Sequence, residues 1–461
     1  FAPTADDARP LHLIAAEDWD GWRAGRDPAV LRWLDDTGFD AALGTLRLLP
    51  GKGGAVTGAV LGLGTAAARA RGRFHVAGAV RTLPAGNWRL DGALDPAASE
   101  EAALGWLLAG YEFRRYRGAR GKGEVAARLV APEGVDTARI ETMAAGEFLT
   151  RDLINTPATD MGPADLEAAA RTLAQAQGAT FDVIRGDALL AANLPLIHAV
   201  GRAAPDNRAP RLIDLRWGGG GPRLTLVGKG VCFDTGGLNI KPGSSMGLMK
   251  KDMGGAATVL GLARMIMALG WPVRLRVLIP AVENAISGDA FRPGDILTAR
   301  NGLTVEVNNT DAEGRLVVAD ALALAVEEET DALISMATLT GAARVAVGPD
   351  LAPYYCDDEA MAQAIAAAGA GAADPVWRMP FWPAYEEMIE PGIADLDNAP
   401  SGGMAGSITA ALFLRRFAGT ARYAHFDIYG WQPKAAPARP KGGVGQGARA
   451  LLSALPDVLG L

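Results

Sequence analysis

The amino-acid sequence predicts an α/β protein with a smaller α/β amino-terminal domain and a larger α/β domain, whose mostly parallel central sheet is flanked by helices. At 461 residues the chain is longer than one ordinary domain. Hydrophobic residues make up 49% and charged residues 21%, which is typical of a globular protein with buried cores. In the second half, strand-like runs alternate with segments of helical periodicity, and this alternation indicates parallel strands joined by helices.

The first domain is assigned to residues 1–137, and a connecting helix to residues 138–157. The helix ends there because the residue before Pro157 is biased away from helical backbone angles. No cluster of catalytic residue types stands out in the first domain. Its predicted short strands and helices are, in order, 11–15, 42–49, 56–63, 75–83 and a longer helix at 97–113.

The second domain is assigned to residues 158–461 and contains the alternating pattern. Apolar runs bounded by turn residues predict its strands, and apolar positions three and four residues apart predict its helices. The predicted strands are 181–184, 211–217, 223–227, 273–279, 304–308, 331–337 and 422–428, and the predicted helices are 163–177, 254–269, 314–328, 359–368 and 406–418.

Charge and hydropathy disfavour two classes of partner. The 45 basic and 52 acidic residues give a net charge of −7, so we do not expect a nucleic-acid or anionic-membrane surface as partner. No apolar run approaches the roughly 20 residues that span a bilayer. One basic group follows a predicted helix end, where cations are favoured, and is interpreted as a solvated face; it comprises Arg114, Arg115, Arg117, Arg120 and Lys122.

Cysteine and histidine usage narrows the possible sites. Cys232 and Cys356 lie far apart without metal-ligand spacing, so we expect neither a disulfide framework nor a thiolate zinc site, and we expect a reducing, cytoplasmic location. The histidines are scattered, which disfavours histidine zinc sites and serine or cysteine triads. They are His12, His75, His198 and His425.

Four carboxylates stand in loops beside glycines. Asp234 follows a predicted strand, Asp252 precedes a predicted helix, and Asp311 and Glu313 lie at a strand-to-helix turn. Four acids meeting at strand ends would repel one another unless cations neutralised them, so one interpretation is a site for two divalent metals that share a bridging water. The alternatives are ordinary Asp-Gly turns and acids that complement a helix dipole. The spacing alone leaves all three open.

An ordered set of motifs resembles the leucyl (cytosol) aminopeptidase family. The resemblance covers essentially residues 150–435, whereas the first 135 residues resemble the family's variable amino-terminal domain only loosely. The departures are that short domain, Asn308, and Lys251, which stands where an apolar residue is more usual. The motifs are RDLINTP at 151–157, VGKG at 227–230, FDTGG at 233–237, IKP at 240–242, MK at 249–250, DMGGAA at 252–257, RPGD at 292–295 and NTDAEGRL at 309–316.

The resemblance implies a catalytic domain that binds two divalent metal ions per subunit, Mn²⁺ or Zn²⁺, with Mg²⁺ as a further option. Lys229, Asp234, Asp252 and Glu313 would bind the tighter metal, and Asp234, Asp311 and Glu313 the more exchangeable one. A lysine coordinates only as the neutral amine, which a neighbouring dication favours. The alternative for Lys229 is an ion pair with the same acids.

The resemblance also implies roles for two cations outside this ligand set. Lys241 would stay charged, polarise the scissile carbonyl and stabilise the developing oxyanion. Arg315 would hold a bicarbonate that acts as the general base and takes a proton from the bridging water. This role accounts for the lack of a histidine base.

The implied substrates are peptides with a free amino terminus, from which leucine or another apolar residue is released. Met249, Asn309, Thr338 and Gly341 are the corresponding substrate-binding positions, and a methionine wall beside a small residue suits an apolar side chain. Core packing is the alternative role for Met249 and Thr338. The family resemblance further implies a homo-hexamer.

Two other functions stay open at this point. Some members of the family combine peptidase activity with a DNA-binding accessory role, which the acidic net charge disfavours here. A two-metal phosphoesterase would use the same four acids, and Lys229 and Lys241 do not exclude it.

Overall fold

A computed structural model describes residues 1–2, 7–118 and 126–461. The chain forms two compact units, one of residues 1–144 with 434–441 and one of residues 145–433 with 442–461. The sequence places 434–441 in the catalytic domain, whereas in the structure this segment folds with the first unit. There Ala435–Pro440 line a cavity together with Ala77, Arg81 and Tyr111.

The first unit is built on a five-stranded sheet in the order β2-β3-β1-β4-β5. Strand β2 is antiparallel to β3, and the other neighbours are parallel. The strands are β1 Arg9–Ala15, β2 Leu46–Pro50, β3 Val56–Gly64, β4 Gly86–Asp91 and β5 Ala127–Leu129; the helices are α1 Trp19–Arg23, α2 Pro28–Asp36, α3 Ala66–Arg69, α4 Ala77–Val80 and α5 Pro96–Ala109.

Two arginines of the basic group share one carboxylate. Arg114 and Arg117 each lie 3.0 Å from the carboxylate of Glu112, and the guanidinium of Arg115 lies 5.8 Å from the Tyr116 ring centroid. Arg120 and Lys122 lie outside the described residues. The solvated-face interpretation of this group stays a prediction.

The second unit is organised by a nine-stranded sheet in the order β15-β14-β17-β13-β8-β10-β7-β6, with β9 also paired to β10. The central neighbours β17, β13, β8 and β10 run parallel, while β6, β7 and β14 form the antiparallel pairs. Its strands are β6 Thr180–Arg185, β7 Arg211–Trp217, β8 Arg223–Gly228, β9 Gly230–Asp234, β10 Arg274–Asn284, β13 Ala332–Ala337, β14 Ala352–Cys356, β15 Val376–Met379 and β17 Tyr423–Asp427, and five short strands complete the unit: β11 Ile296–Thr298, β12 Thr304–Glu306, β16 Leu396–Asp397, β18 Trp431–Gln432 and β19 Gly442–Gly443.

Helices accompany this sheet along the chain. They are α6 Thr137–Asn155, α7 Pro163–Gln177, α8 Ala188–Ala191, α9 Pro195–Gly201, α10 Gly243–Met246, α11 Gly254–Ala268, α12 Glu313–Ala325, α13 Gly341–Val347, α14 Glu359–Gly371, α15 Gly406–Arg415 and α16 Ala448–Leu459. Helix α11 packs directly on the sheet, since a Cβ built on Gly255 would lie 2.1 Å from the Met336 carbonyl oxygen. Only glycine permits this approach, which brings the start of α11 to the end of β13.

The predicted α/β architecture, with a small first domain and a mostly parallel sheet in the second, is confirmed. Strands β14 and β15 were not predicted, and β10 extends five residues beyond the predicted end at 279. None of the helices in the described residues is long and apolar enough to cross a membrane.

Candidate metal centre and substrate cavity

The predicted site residues converge at one edge of the nine-stranded sheet. Lys229 directly follows β8, Asp234 is the last residue of β9, and Thr338 directly follows β13. Because parallel strands end at the same edge, residues distant in sequence meet there, as is general for ligand crevices in α/β sheets. Asp252 lies in the single-turn helix Met249–Met253 that precedes α11, and Glu313 is the first residue of α12.

Lys229 is enclosed by acids. Its Nζ lies 2.7 Å from Oδ2 of Asp252 and 3.1 Å from Oε1 of Glu313, and it also donates to the Thr338 carbonyl oxygen at 3.3 Å. Burial alone would lower the pKa of Lys229, but Asp252 and Glu313 outweigh it and raise that pKa. In this structure Lys229 is therefore an ion-pair partner, and coordination by its neutral amine stays a prediction.

Lys241 forms the second ion-paired centre. Its Nζ lies 2.8 Å from Oδ2 of Asp234 and 2.5 Å from Oδ1 of Asp311. Burial opposes the charge on Lys241, yet attraction to Asp234 and Glu313 raises its pKa overall. Lys241 thus stays charged beside the acids.

Neighbouring groups hold the carboxylates in place. Asn284 Nδ2 and the Gly236 backbone N–H both donate to Oδ1 of Asp234, at 2.9 and 2.8 Å. Thr338 Oγ1 donates to Oδ1 of Asp252 at 2.9 Å. The side chain of Asn309 accepts a hydrogen bond from the Asp311 backbone N–H at 2.8 Å. The contacts to Asp234 and Asp252 fix one carboxylate oxygen of each acid, and the Asn309 contact orders the backbone at Asp311.

Glu313 is a buried acid whose pKa is strongly raised. It is 1% exposed, and within the described chain neither of its carboxylate oxygens accepts a hydrogen bond. Burial, with added repulsion from Asp234, raises the pKa of Glu313 to about 8. The same two causes raise the pKa of Asp311 to about 6, and burial raises that of Asp252 although Lys229 opposes it. A buried, under-neutralised acid of this kind suits a cation ligand.

The ligand geometry also suits a cation. One carboxylate oxygen from each of Asp234, Asp252 and Glu313 lies within 4.8 Å of the others. Oxygen ligands in such a cluster are suited to Mg²⁺, Mn²⁺ and Zn²⁺ alike. The donor set of these three acids, with Asp311 beside them, therefore fits divalent metal binding.

Arg315 lies on the first turn of α12, behind the acids. It is 8% exposed, and its Nε and Nη1 find no hydrogen-bond acceptor in the part of the chain that the structure describes. Burial lowers the pKa of Arg315 to about 10, while Asp427 and Glu313 favour its charge. A buried guanidinium with unused donors suits a small anion.

A cavity of about 230 Å³ adjoins the cluster and is lined by the acids, both lysines and Arg315. Met249, Thr338 and Gly341, predicted to bind substrate, also line it. Asn309 is not part of the lining. Its side chain orders the backbone at Asp311, and its carbonyl oxygen accepts from Asn398 at 2.7 Å.

Among the residues of the cavity wall that sequence reasoning missed are two cations and a tyrosine: Lys251, Arg344 and Tyr429. Burial lowers the pKa of Lys251 to about 8. Repulsion from Lys229 and Arg344 also lowers this pKa, whereas attraction to Asp252 opposes the change. Lys251 could have been found from the sequence, because a lysine at this position beside Asp252 is unusual. Arg344 and Tyr429 reach the cavity from α13 and from the loop after β17, and the sequence carries no signal for that convergence.

Comparison with known proteins decides the family. A model of the cytosol aminopeptidase family catalytic domain matches residues 148–452. A model of the M17 aminopeptidase N-terminal domain matches residues 9–132. The chain belongs to the cytosol aminopeptidase family. It is accordingly an aminopeptidase, a peptidase of the hydrolase class.

Curated relatives of this aminopeptidase have the same family name. A probable cytosol aminopeptidase of Roseiflexus castenholzii is 40% identical over 426 residues, 86% of each chain. One of Geobacter sp. strain M21 is 38% identical over 442 residues, 90% of this chain and 89% of the relative.

Solved structures extend the likeness to the fold. The crystal structure of cytosol aminopeptidase from Coxiella burnetii superposes with a TM-score of 0.93 at 41% identity, covering 99% of this chain and 98% of that one. The bottromycin maturation enzyme BotP in complex with Mn gives 0.87 at 31% identity, covering 98% and 100%. The similarity therefore spans both units of this aminopeptidase.

Proposed function

We propose that this aminopeptidase depends on two divalent metal ions and releases amino-terminal residues from peptides with a free amino terminus. The observation that carries the proposal is the cluster of Asp234, Asp252, Asp311 and Glu313 beside a cavity at the edge of the sheet. Three of the acids are nearly fully buried, and two lysines leave their charge incompletely neutralised. The likeness to BotP, whose structure contains Mn, adds support.

The proposed ligand sets are those that the family resemblance implies. Lys229, Asp234, Asp252 and Glu313 would hold one ion, and Asp234, Asp311 and Glu313 the other. Mn²⁺ or Zn²⁺ is the proposed metal, with Mg²⁺ as an alternative. When bound, such a pair supplies Lewis-acid polarisation and lowers the pKa of a shared water towards neutrality.

Lys241 would act on the scissile carbonyl. Its amine lines the cavity, and Asp234 and Asp311 hold it in position and keep it charged. A fixed positive charge in a water-poor site stabilises negative charge that develops on a carbonyl oxygen. Asn284 and Thr338 would act as positioning residues, because each holds one oxygen of a ligand carboxylate.

Arg315 would bind bicarbonate, which would supply the proton acceptor for the reaction. Its Nε and Nη1 have no acceptor among the described residues, and its charge is favoured by Glu313. The role needs an anion between the guanidinium and the cavity, and Arg315 lines that cavity. Histidine is not required, and His425 has a pKa that burial lowers to about 3, so it stays neutral.

The released side chain would lie against Met249, Thr338 and Gly341. Met249 and Leu339 contribute apolar surface to the cavity, which supports acceptance of leucine and other apolar residues. A homo-hexamer is the proposed assembly, on the family resemblance. Light scattering that reports a mass near 47.8 kDa would contradict it.

The test is metal-dependent release of leucine from leucinamide and leucyl peptides. The purified chain is stripped of metal and assayed with Mn²⁺ or Zn²⁺, alongside Asp252→Ala and the control Asp457→Ala, which removes an exposed acid at the end of α16. Activity that appears with metal, persists in Asp457→Ala and is lost in Asp252→Ala is expected. Absence of metal-dependent release, or faster turnover of a phosphate ester than of any peptide, would overturn the proposal.

A further inference from the structure

Two cations and a tyrosine of the cavity wall have no part in the chemistry proposed above: Lys251, Arg344 and Tyr429. Lys251 Nζ lies 5.2 Å from the centroid of the Tyr429 ring, and the Arg344 guanidinium carbon lies 5.2 Å from the same centroid. Two cations therefore share one aromatic ring at the cavity wall. A tyrosine ring attracts each of them, but this attraction does not neutralise their charge.

Neither cation is paired with a carboxylate. Among the described residues, Lys251 and Arg344 form no ion pair and no hydrogen bond to an acid, although Lys251 is only 6% exposed. A buried ammonium without an anion is costly, and burial is tolerated when a partner is present. Asp252 attracts Lys251 without pairing with it, and Arg344 is exposed to solvent, so an anion from outside the chain would complete the pairing of Lys251 in particular.

The position of the two cations identifies which part of a substrate they would meet. Lys251 shares the short helix Met249–Met253 with Met249, and Arg344 lies one turn beyond Gly341 on α13. Met249 and Gly341 are the residues proposed to contact the side chain of the amino-terminal residue. The cations thus extend the wall of that same side-chain pocket.

The pocket combines apolar and cationic surface. Met249, Leu339 and Ile428 supply the apolar part, and Lys251 and Arg344 the cationic part. A leucine side chain would bury apolar surface but leave Lys251 unpaired. An acidic side chain has a methylene stem for the first surface and a carboxylate for the second, and a basic side chain would be repelled.

We propose that the side-chain pocket of this aminopeptidase selects acidic amino-terminal residues, glutamate or aspartate, through Lys251 and Arg344. The proposal rests on the aminopeptidase function proposed above, and it ranks acidic residues ahead of the apolar residues that the same pocket accepts. Tyr429 acts as a positioning residue that holds both cations at the wall.

The experiment compares kcat/KM for glutamyl, glutaminyl, leucyl and lysyl p-nitroanilides with the metal-loaded wild-type enzyme. These substrates have no free terminal carboxylate, so a preference reports the side chain alone. Glutamate and glutamine have nearly the same shape and differ in charge. We expect glutamyl to exceed glutaminyl by roughly 10- to 100-fold, because a partly buried charge pair contributes on that scale, and lysyl to be the poorest substrate.

Variants then locate the effect. Lys251→Met and Arg344→Met should each reduce the glutamyl-to-glutaminyl ratio by about 10-fold, chiefly through a lower kcat/KM for the glutamyl substrate, and Lys251→Arg should restore most of the ratio. Lys52→Met removes an exposed lysine of the first unit that does not line this cavity, and should leave the ratio unchanged. Measurable leucyl hydrolysis shows that the variants are folded.

Three results would overturn the proposal. The first is equal hydrolysis of glutamyl and glutaminyl substrates by the wild type, and the second is a ratio that Lys251→Met leaves intact. The third is that the wild type prefers leucyl dipeptides to their carboxyl-amidated forms and that Lys251→Met abolishes this preference. That result would mean that the cations bind the terminal carboxylate of the dipeptide. Failure of the aminopeptidase function itself is distinct, since no substrate, leucyl included, would then be cleaved.

Discussion

Arg315 is the residue at which catalysis and metal binding can be separated. It lies two residues after Glu313 on α12, but its guanidinium makes no ion pair with the cluster within the described residues. We expect Arg315→Met to lower kcat by about 100-fold or more, the scale of a lost general base, while metal content is retained. Steady-state kinetics with metal analysis of the same sample makes the measurement.

The matched control is Arg202→Met. Arg202 lies just after α9, and its Nε donates to the Asp289 carbonyl oxygen at 2.7 Å, so the variant removes the same side chain from a site without cluster contacts. It should retain kcat. If Arg315→Met loses metal in proportion to activity, Arg315 supports the ligands and the bicarbonate role is wrong.

Position 314 must be glycine because the side chain of Lys229 leaves no room for a Cβ there. A Cβ at this position would lie 2.6 Å from both Cε and Nζ of Lys229. Gly314→Ala should therefore displace Lys229 from Asp252 and Glu313, abolish activity and weaken metal affinity, with little loss of stability because alanine favours helix. The control Gly371→Ala lies on α14 where a Cβ meets no atom within 4 Å, and it should be silent by activity and metal titration. Normal metal affinity in Gly314→Ala would count against Lys229 as a ligand.

At the scale of elements, Glu167 joins α7 to two strands. Its carboxylate lies 2.8 Å from Arg171, 2.9 Å from Arg185 on β6 and 2.7 Å from Arg211 on β7. Burial alone would raise the pKa of Glu167, but the three arginines outweigh it and lower that pKa to about 2 from 4.5. The ionised form is thus the stabilising one. Its contribution is present above about pH 4.5 and is lost as the pH falls towards 2.

Glu167→Gln should therefore lower the free energy of unfolding at pH 7 by about 2–3 kcal/mol. The difference from wild type should shrink below pH 4.5, as urea unfolding at a series of pH values will show. Glu359→Gln removes the carboxylate of an exposed pair with Arg378 and should change little. A pH-independent difference for Glu167→Gln would mean that the side chain contributes by packing and not by charge.

The elements show how far local pattern determines the fold. The helix at 163–177 and the strand at 211–217 were predicted at their observed bounds, because each has a clear period and a proline or glycine boundary. Strand β14 was missed because APYYC is short and preceded by a turn, and it is a strand only through its partners β15 and β17. Pairing between distant segments is a tertiary property that a local pattern does not contain.

Some residues of the candidate site could likewise be predicted from the sequence, and others could not. Asp234, Asp252, Asp311 and Glu313 could be gathered from the sequence because each stands in a loop next to a predicted strand or helix, and the family resemblance added Lys229 to them. Lys251 was visible only as an unusual residue. Arg344 and Tyr429 become its neighbours because α13 and the loop after β17 line the same cavity. The spacing of residues along the chain does not predict that these two segments come together.

At the scale of the whole molecule, the metal centre should govern stability. Asp252 and Glu313 lie 3% and 1% exposed, and burial raises the pKa of both, so the metal-free protein carries under-neutralised acids in its interior. A cation that binds the folded chain and not the unfolded chain adds RT ln(1 + [L]/Kd), about 2.7 kcal/mol at 100 times Kd. Addition of Mn²⁺ should therefore raise the Tm by a few degrees, and a chelator should reverse the rise.

Variants assign that stabilisation to the cluster. Asp252→Asn removes one negative charge from the cluster and so reduces the repulsion among its carboxylates. The Tm of the metal-free variant should therefore rise. Most of the increase with Mn²⁺ should be lost, because the metal then has less repulsion to relieve and one ligand fewer. Asp457→Asn changes an exposed acid of α16 and should leave both values unchanged. Differential scanning calorimetry with and without Mn²⁺ makes the comparison. An equal Mn²⁺ shift in Asp252→Asn and wild type would place the stabilising ion elsewhere on the chain, and the metal centre would lose its main physical support.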